Sequence, residues 1–539
     1  MTAFSAWTFT GAASQAYASG ISISVIFIAN TVGFFVNAAF LAAWYRQTRA
    51  TTLPEILRRR FNVATQQVDA WLGVLFAYLM AGLHLWGISI FASTVFGFNI
   101  TYVIIALGIV VVFYSTVGGS WSVMATDFVQ TLILIPLTMV VTFLALQKIG
   151  GMGGFVSKIN EMGLQDHLKI VESGEGAKFT LFYIAAVCLK QVLVYNGLND
   201  APKYFAVKTG HDARKAAFLA GTLMFFGSLF WFIPPIIARL QYSSVVESIP
   251  LNNPADAAYA VTSMQLLPTG LVGLMVVAML AATMSSMDSS LNKNSAIFTR
   301  DIVKGLFFKN ITERAQFFVG QIFTLVSGTI VILLALYFSV AQGKGIFTMM
   351  MKIGGLVAIP RLVPMLWGIF IKSSPQWAAL ISLGCALLMS VVNFVLGSPF
   401  PVIVFTNFAV GTYAFFAATL FAPAVGAYKK QAETFFKVMH MPVDFDKEVG
   451  GAVDTQQLGT IGITSVVISV FILVLMAIVP GDHSRLPFLF IAAFVGGVGA
   501  LFLLAARKIA AHEPAPATTV PETHGELLDE VRAEATSGE

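Results

Sequence analysis

The stretch 277–290 reads Val-Ala-Met-Leu-Ala-Ala-Thr-Met-Ser-Ser-Met-Asp-Ser-Ser, hydroxyls and one carboxylate set in an otherwise apolar run. At about 100° per residue, Ala282, Ser285, Ser286 and Ser289 share one helix face, with Asp288 at its flank. Small residues on one face also let membrane helices pack closely, and the serines alone fit that reading as well. The acidic residue in the same helix does not fit it. A hard cation takes oxygen ligands, and hydroxyls, a carboxylate and a freed carbonyl supply them, so an alkali-ion site is the better reading. Asp127 is a second carboxylate in an apolar span. It either pairs with a base near the membrane interface or lines a buried site, and its depth of about two turns beyond Val117-Gly118-Gly119-Ser120 favours the latter.

Two segments are poor helix formers at places where a helix is otherwise expected: Thr8-Phe9-Thr10-Gly11-Ala12-Ala13-Ser14, and Tyr195-Asn196-Gly197-Leu198-Asn199-Asp200-Ala201-Pro202. Irregular backbone at membrane depth is tolerated where it lines a cavity, and interrupted segments at corresponding places in two halves point to a transporter binding site. The second segment reads equally as a plain helix end. Lys190, His84, Lys352 and Arg361 are single basic groups within spans. Each reads first as the structural partner of a carboxylate or as a snorkelling side chain, and Lys352 is the strongest of them as a ligand.

The elements that must position these groups are membrane helices. Of the 539 residues 57% are hydrophobic and 11% charged, less than half the charged share of about 25% in a soluble protein. That excludes a soluble enzyme, a nucleic-acid reader and a disordered chain. With about 20 apolar residues per crossing, spans are expected near 2–18, 21–45, 67–95, 100–117, 121–147, 177–198, 213–239, 266–291, 315–340, 346–371, 376–397, 401–424, 459–480 and 486–507. A turn at 117–120 separates the fourth and fifth. Of the 32 Lys and Arg residues, 22 fall in one set of alternating loops, seven in the other and three within spans. The positive-inside rule then places the 46–66 loop and the C-terminus in the cytoplasm. The opposite loop, 148–176, is Gly-rich and is expected to form a small lid with a short helix. Residues 511–539 read as a disordered acidic cytoplasmic tail. Cys188 and Cys385 both lie in apolar segments, which leaves no disulfide framework.

Three motifs in order resemble a known family. Leu267-Pro268-Thr269-Gly270-Leu271-Val272-Gly273-Leu274, with Ala281–Ser289 and Phe298-Thr299-Arg300-Asp301-Ile302, resembles the eighth core helix of the sodium:solute symporters. Tyr114–Trp121 with Thr126-Asp127-Phe128-Val129-Gln130 resembles their fourth-to-fifth helix junction, and Thr52–Phe61 the loop after their second core helix. The likeness covers about residues 1–372. It implies an all-α polytopic membrane protein with LeuT-like inverted five-helix repeats at 1–147 and 177–372. Accessory membrane helices would occupy 373–510, with a cytoplasmic loop at 425–458. It also implies sodium-coupled uptake by alternating access.

Carried over residue by residue, the sodium site would use the Ser285 and Ser286 hydroxyls and the carbonyls of Ala282, Met1 and Phe4. A second sodium position, present in some members, would use Asp127 with Ser285, Asp288 and Ser289. Tyr195 matches the inner gating aromatic of sugar-transporting members. Their sugar-holding positions fall here on Thr8, Phe27, Asn30, Val192, Met224 and Lys352 (or Met351). The polar contacts a sugar needs are mostly absent, so a galactose-like solute is disfavoured, and Lys352 points weakly to an anionic group such as a carboxylate.

The reading is therefore a sodium-coupled importer of a small organic solute in the cytoplasmic membrane, with Na+ as the coupling ion, the lipid bilayer as its surroundings and no nucleic-acid partner. The alternatives are a sensor built on the same domain, a membrane-embedded enzyme, and a transport-inactive relative. Gapless alignment from Gly11 through Pro54 puts Met1 and Phe4 at mid-membrane, where a terminal ammonium would repel the cation. The resemblance thus predicts a true start roughly 40–60 residues upstream.

Overall fold

The computed structural model describes residues 5–50, 52–174, 176–197, 202–205, 207–308, 310–340, 345–448, 455–478 and 485–510, and these contain helices, turns and loops without a strand. The first helix, α1 (8–19), opens as a π-turn over Thr8–Ala12 and continues regularly over Ala13–Ser19. Gly20 breaks it with φ +68°, a conformation a side chain resists. The chain turns there into α2 (20–47), itself widened by a π-turn at Asn37–Leu41. A short α3 (Leu53–Arg60) follows, started by the Thr52 hydroxyl on the Glu55 N–H. The long α4 (Val63–Phe96) is capped by Asn62 on the Thr65 N–H.

The backbone is helical without interruption over α5 (Ile100–Ile149). The turn expected at 117–120 is not a break. Gly118-Gly119 is a weak helix former, yet glycines can bend a helix while its hydrogen-bond ladder continues. Beyond α5 the segment expected to form a lid contains α6 (Gly151–Glu161) and a 3-10 turn at Gln165–Leu168. It seats directly on the α1–α2 break, since a Cβ on Gly20 would stand 2.2 Å from the His167 carbonyl oxygen, and Ser22 donates to the Lys169 carbonyl at 2.8 Å. This end of the molecule is called the lid face below.

Helix α7 (Leu181–Asn196) is capped by Thr180 and ends where a break was expected. Next come α8 (Gly210–Gln241), α9 (Ala258–Leu266) and α10 (Thr269–Ala296), which runs on as a wide π-turn over Ile297–Phe307. Helices α11 (Glu313–Val340), α12 (Ile346–Phe370), α13 (Ala378–Val395) and α14 (Phe400–Phe421) follow. The chain closes with the amphipathic α15 (Gly426–His440), then α16 (Thr455–Ile478) and α17 (Arg485–Ala510). Among the described residues, ten helical stretches are long and apolar enough to cross a membrane, and three shorter apolar ones accompany them. Their perimeter is apolar too, with Phe143, Phe317, Leu333, Phe394 and Leu420 exposed, as a lipid-facing surface requires.

The main core joins α1, α2, α4, α5, α7, α8, α10 and α12. A second core at the end away from the lid gathers Leu41, Tyr45, Leu57 and Phe61 with Phe435, Phe436 and Met439 of α15. At its centre Arg60 is 1% exposed. Its guanidinium is satisfied by the Gly368 and Ile371 carbonyls, the Tyr428 hydroxyl and Ser374 at 2.6–2.8 Å.

Candidate functional site

Helix α10 carries the residues expected to hold sodium. Ser286 is 3% exposed and donates to the Ala282 carbonyl at 3.2 Å, so two of the expected oxygen ligands adjoin. A hydroxyl that donates its proton keeps its lone pairs for a cation. One turn away, Thr283 donates to the Met279 carbonyl at 2.9 Å. Its oxygen accepts the Ala6 N–H at 3.2 Å. That bond fastens the start of the first helix against the turn that holds Ala282 and Ser286. Sequence reasoning passed over Thr283, because a lone threonine in a helix usually bonds only its own preceding turn. Met1 and Phe4 lie outside the described residues, as do the side chains of Asp127, Ser285, Asp288 and Ser289.

The positions expected to hold the solute lie on α1 (Thr8), α2 (Phe27, Asn30), α7 (Val192, Tyr195), α8 (Met224) and α12 (Lys352). Thr8 is buried at the head of the π-turn, and Thr10 donates to the Ala6 carbonyl at 2.9 Å. Trp7 lies parallel to two rings, Phe27 at 6.3 Å and Phe347 at 6.1 Å, and so bridges α2 and α12. Phe27 also meets Trp231 and Phe232 edge-on at 5.5 and 4.9 Å. Asn30 accepts a hydrogen bond from Gln191 of α7. Met224 of α8 is buried in the same core. Val192 is half-buried, and its carbonyl accepts from the Asn196 amide. Lys352 is half-buried at the end of the first regular stretch of α12, and no described contact joins it to the other solute positions.

Tyr195 sits against Phe34, ring to ring at 4.4 Å, at the end of α7. The open carbonyls of that helix end are held by α2. Asn37 donates to the Tyr195 carbonyl at 2.8 Å, Tyr45 donates to that of Asn196, and Asn196 in turn donates to the Gly33 carbonyl at 2.9 Å. The end of α7 is therefore clamped to α2 by polar groups in an apolar core. Asn37, wholly buried, is a site residue that its sequence context did not single out.

On the lid face a 3-10 turn, Pro254–Ala257, presents Asp256, which is 2% exposed. Asn253 donates to its Oδ1 at 2.9 Å, and the Ser14 hydroxyl and Ile346 N–H lie against the same carboxylate. Burial pushes its carboxyl up to about 6, with those three donors acting in the opposite direction. The loop thereby joins the middle of α1 to the start of α12 beside a cavity of about 70 Å³ lined by Trp86, Asn252, Asn253 and Gly345.

A stripe of oxygens on α10 is thus fastened to the start of α1, and the open end of a second helix, α7, is held by α2. The sodium:solute symporter family model matches residues 1–384. The chain belongs to the sodium:solute symporter family. Among its relatives are the sodium/myo-inositol cotransporter 2 of Sus scrofa, 26% identical over 73% of this chain, and the sodium/glucose cotransporter of Vibrio parahaemolyticus, 25% identical over 70% of this chain and 72% of that protein. The chain spans 62% of the length of the Sus scrofa relative. Among solved structures, a substrate-bound, outward-open Na+-coupled sialic acid symporter is 20% identical, with TM-score 0.63 over 79% of this chain and 89% of that one. Mhp1, a nucleobase-cation-symport-1 transporter in a closed conformation, is 14% identical, with TM-score 0.51 over 80% and 94%. The fold is thus LeuT-like, and this family member is a multi-pass membrane protein.

Proposed function

We propose that this protein is a sodium-coupled symporter that imports a small organic solute by alternating access and carries out no enzymatic step. The observation that supports this most directly is the junction of α1 and α10, where the Ala6–Thr283 bond sets the first helix beside Ala282 and Ser286. One sodium ion is held by the Ala282 carbonyl and the Ser285 and Ser286 hydroxyls, completed by the carbonyls of Met1 and Phe4. Asp127, with Ser285, Asp288 and Ser289, forms a second sodium position. Thr8, Phe27, Asn30, Val192, Tyr195, Met224 and Lys352 surround the solute. Residues 1–147 and 177–372 are the two inverted repeats, and 373–510 are accessory helices. The lid face points out of the cell and the C-terminus lies in the cytoplasm, which the 22-to-7 bias of basic residues supports. In the cytoplasmic membrane, each sodium charge moved inward contributes about 2.3 kcal/mol per 100 mV.

Ser286→Ala tests the site. Alanine keeps the helix and removes one oxygen from a desolvated cation, so half-saturating sodium, read from thermal stabilisation of the purified protein, should rise by roughly tenfold. An unchanged sodium titration refutes the assignment.

A further inference from the structure

Lys190 lies about 13–14 Å along α7 from its start at Leu181, close to half-way through a hydrocarbon core about 30 Å thick. It is 8% exposed. Among the described residues no carboxylate lies within ion-pair distance, and its ammonium meets only the Met351 sulfur, at 3.6 Å. A thioether is a weak acceptor. It is therefore neither the structural partner of an acid nor a snorkelling side chain, the two roles such a lysine ordinarily takes.

The surroundings are built to admit it. A Cβ on Gly354 would stand 2.8 Å from its Cε and 3.2 Å from its Nζ, so the glycine opens the room the ammonium occupies. Its neighbour Gln191 is bonded to Asn30, one of the residues proposed to surround the solute. Met351 is one turn along α12 from Phe347, the ring on which Trp7 stacks. The Trp7 indole N–H is itself buried and without a partner among the described residues. Lys178 stands 4.4 Å over the Phe347 ring. Of these two lysines, Lys190 has no counter-charge among the described residues.

A buried ammonium without an anion is costly, and the cost is removed if an anion arrives with the ligand. We propose that the solute is a small monocarboxylate whose carboxylate is received by Lys190, with its apolar body against Phe27, Val192 and Met224. One ammonium balances one negative charge, and Phe27, Val192 and Met224 offer a polyol no hydrogen-bonding groups. The proposal rests on the symport reading and replaces Lys352 with Lys190 as the group that meets the anion.

The test uses the purified full chain and its thermal midpoint in sodium chloride or choline chloride. The probes are butyrate and benzoate, their neutral amides, and myo-inositol. In sodium, at least one carboxylate should raise the midpoint, while its amide and myo-inositol should not. Lys190→Gln should weaken that response by roughly tenfold or more, and Lys190→Arg should retain it. The shift caused by sodium alone should persist in both variants and reports that they are folded. If Lys190→Gln does not fold, Gly354→Ala, which crowds the ammonium, should weaken carboxylate binding in its place. No carboxylate response in the wild type, or one equally strong in Lys190→Gln, overturns the proposal. Loss of the sodium shift with the carboxylate response intact overturns the sodium reading and leaves Lys190 standing.

Discussion

The ion pair between Arg361 on α12 and Asp69 on α4 permits the sharpest prediction. Nε and Nη2 of Arg361 both lie on Asp69 Oδ1, at 2.9 and 2.8 Å, and each side chain is 3% exposed. Asp69 Oδ2 has no partner among the described residues. A Cβ on Gly73 would stand 2.9 Å from Nη2, so α4 makes room for the guanidinium. Removing one member of such a pair strands the other charge and costs about 3–5 kcal/mol, whereas replacing both by apolar residues of similar volume is close to neutral. Arg361→Met and Asp69→Leu should each lower the apparent melting temperature by several degrees, and the double variant should regain most of the loss. Because unfolding of such a protein is irreversible, the assay is the fraction remaining monodisperse after heating at a fixed rate. Single variants that melt with the wild type, or a double variant no better than the worse single, would show that the pair carries no such energy.

Thr283→Val leaves the Ala6 N–H buried without an acceptor, at about 1–3 kcal/mol. Half-saturating sodium should rise several-fold with expression retained, as read by sodium titration of thermal stability. Asn37→Leu removes the donor on the Tyr195 carbonyl, so amide exchange at 195–197 should quicken while exchange in the α10 core stays unchanged. Burial against α1 and α12 pushes the Asp256 carboxyl up to about 6, above the ordinary carboxylate range near 4. The folded protein then binds the proton more tightly than the unfolded chain, is stabilised as pH falls from about 6 towards 4, and loses that stabilisation as pH rises through 6. The thermal midpoint of the wild type should rise on acidification through this window, and that of Asp256→Asn should not.

Much of the architecture could be read without coordinates because lipid imposes a simple code. Apolar runs such as Glu313–Val340 and Phe400–Phe421 have one way to satisfy their backbone groups, and they emerge as the helices expected. The α10 stripe was legible for the same reason, since polar residues in an apolar helix are costly and conspicuous. The continuous helix through 117–120 was not, because glycine allows both a turn and a bend, and local propensity does not choose between them. Helix α15 was also missed: its charged face hides the buried Phe435, Phe436 and Met439, whose partners lie nearly four hundred residues earlier.

Partners at long range are what the sequence leaves open. Four lone basic groups within spans looked alike: Arg361 has an acid on α4, Lys190 has none among the described residues, and Lys352 and His84 stand elsewhere on α12 and α4. Nothing near Arg361 or Lys190 in sequence distinguishes them. The amino-acid order determined that these charges would sit in apolar helices and that hydroxyls would recur along α10, because burial cost and helical spacing are local properties of a segment. Which charge is paired, which carbonyl is caught by Asn37, and which hydroxyl holds the start of α1 were decided only when the helices packed, because each of those bonds joins residues more than a hundred positions apart.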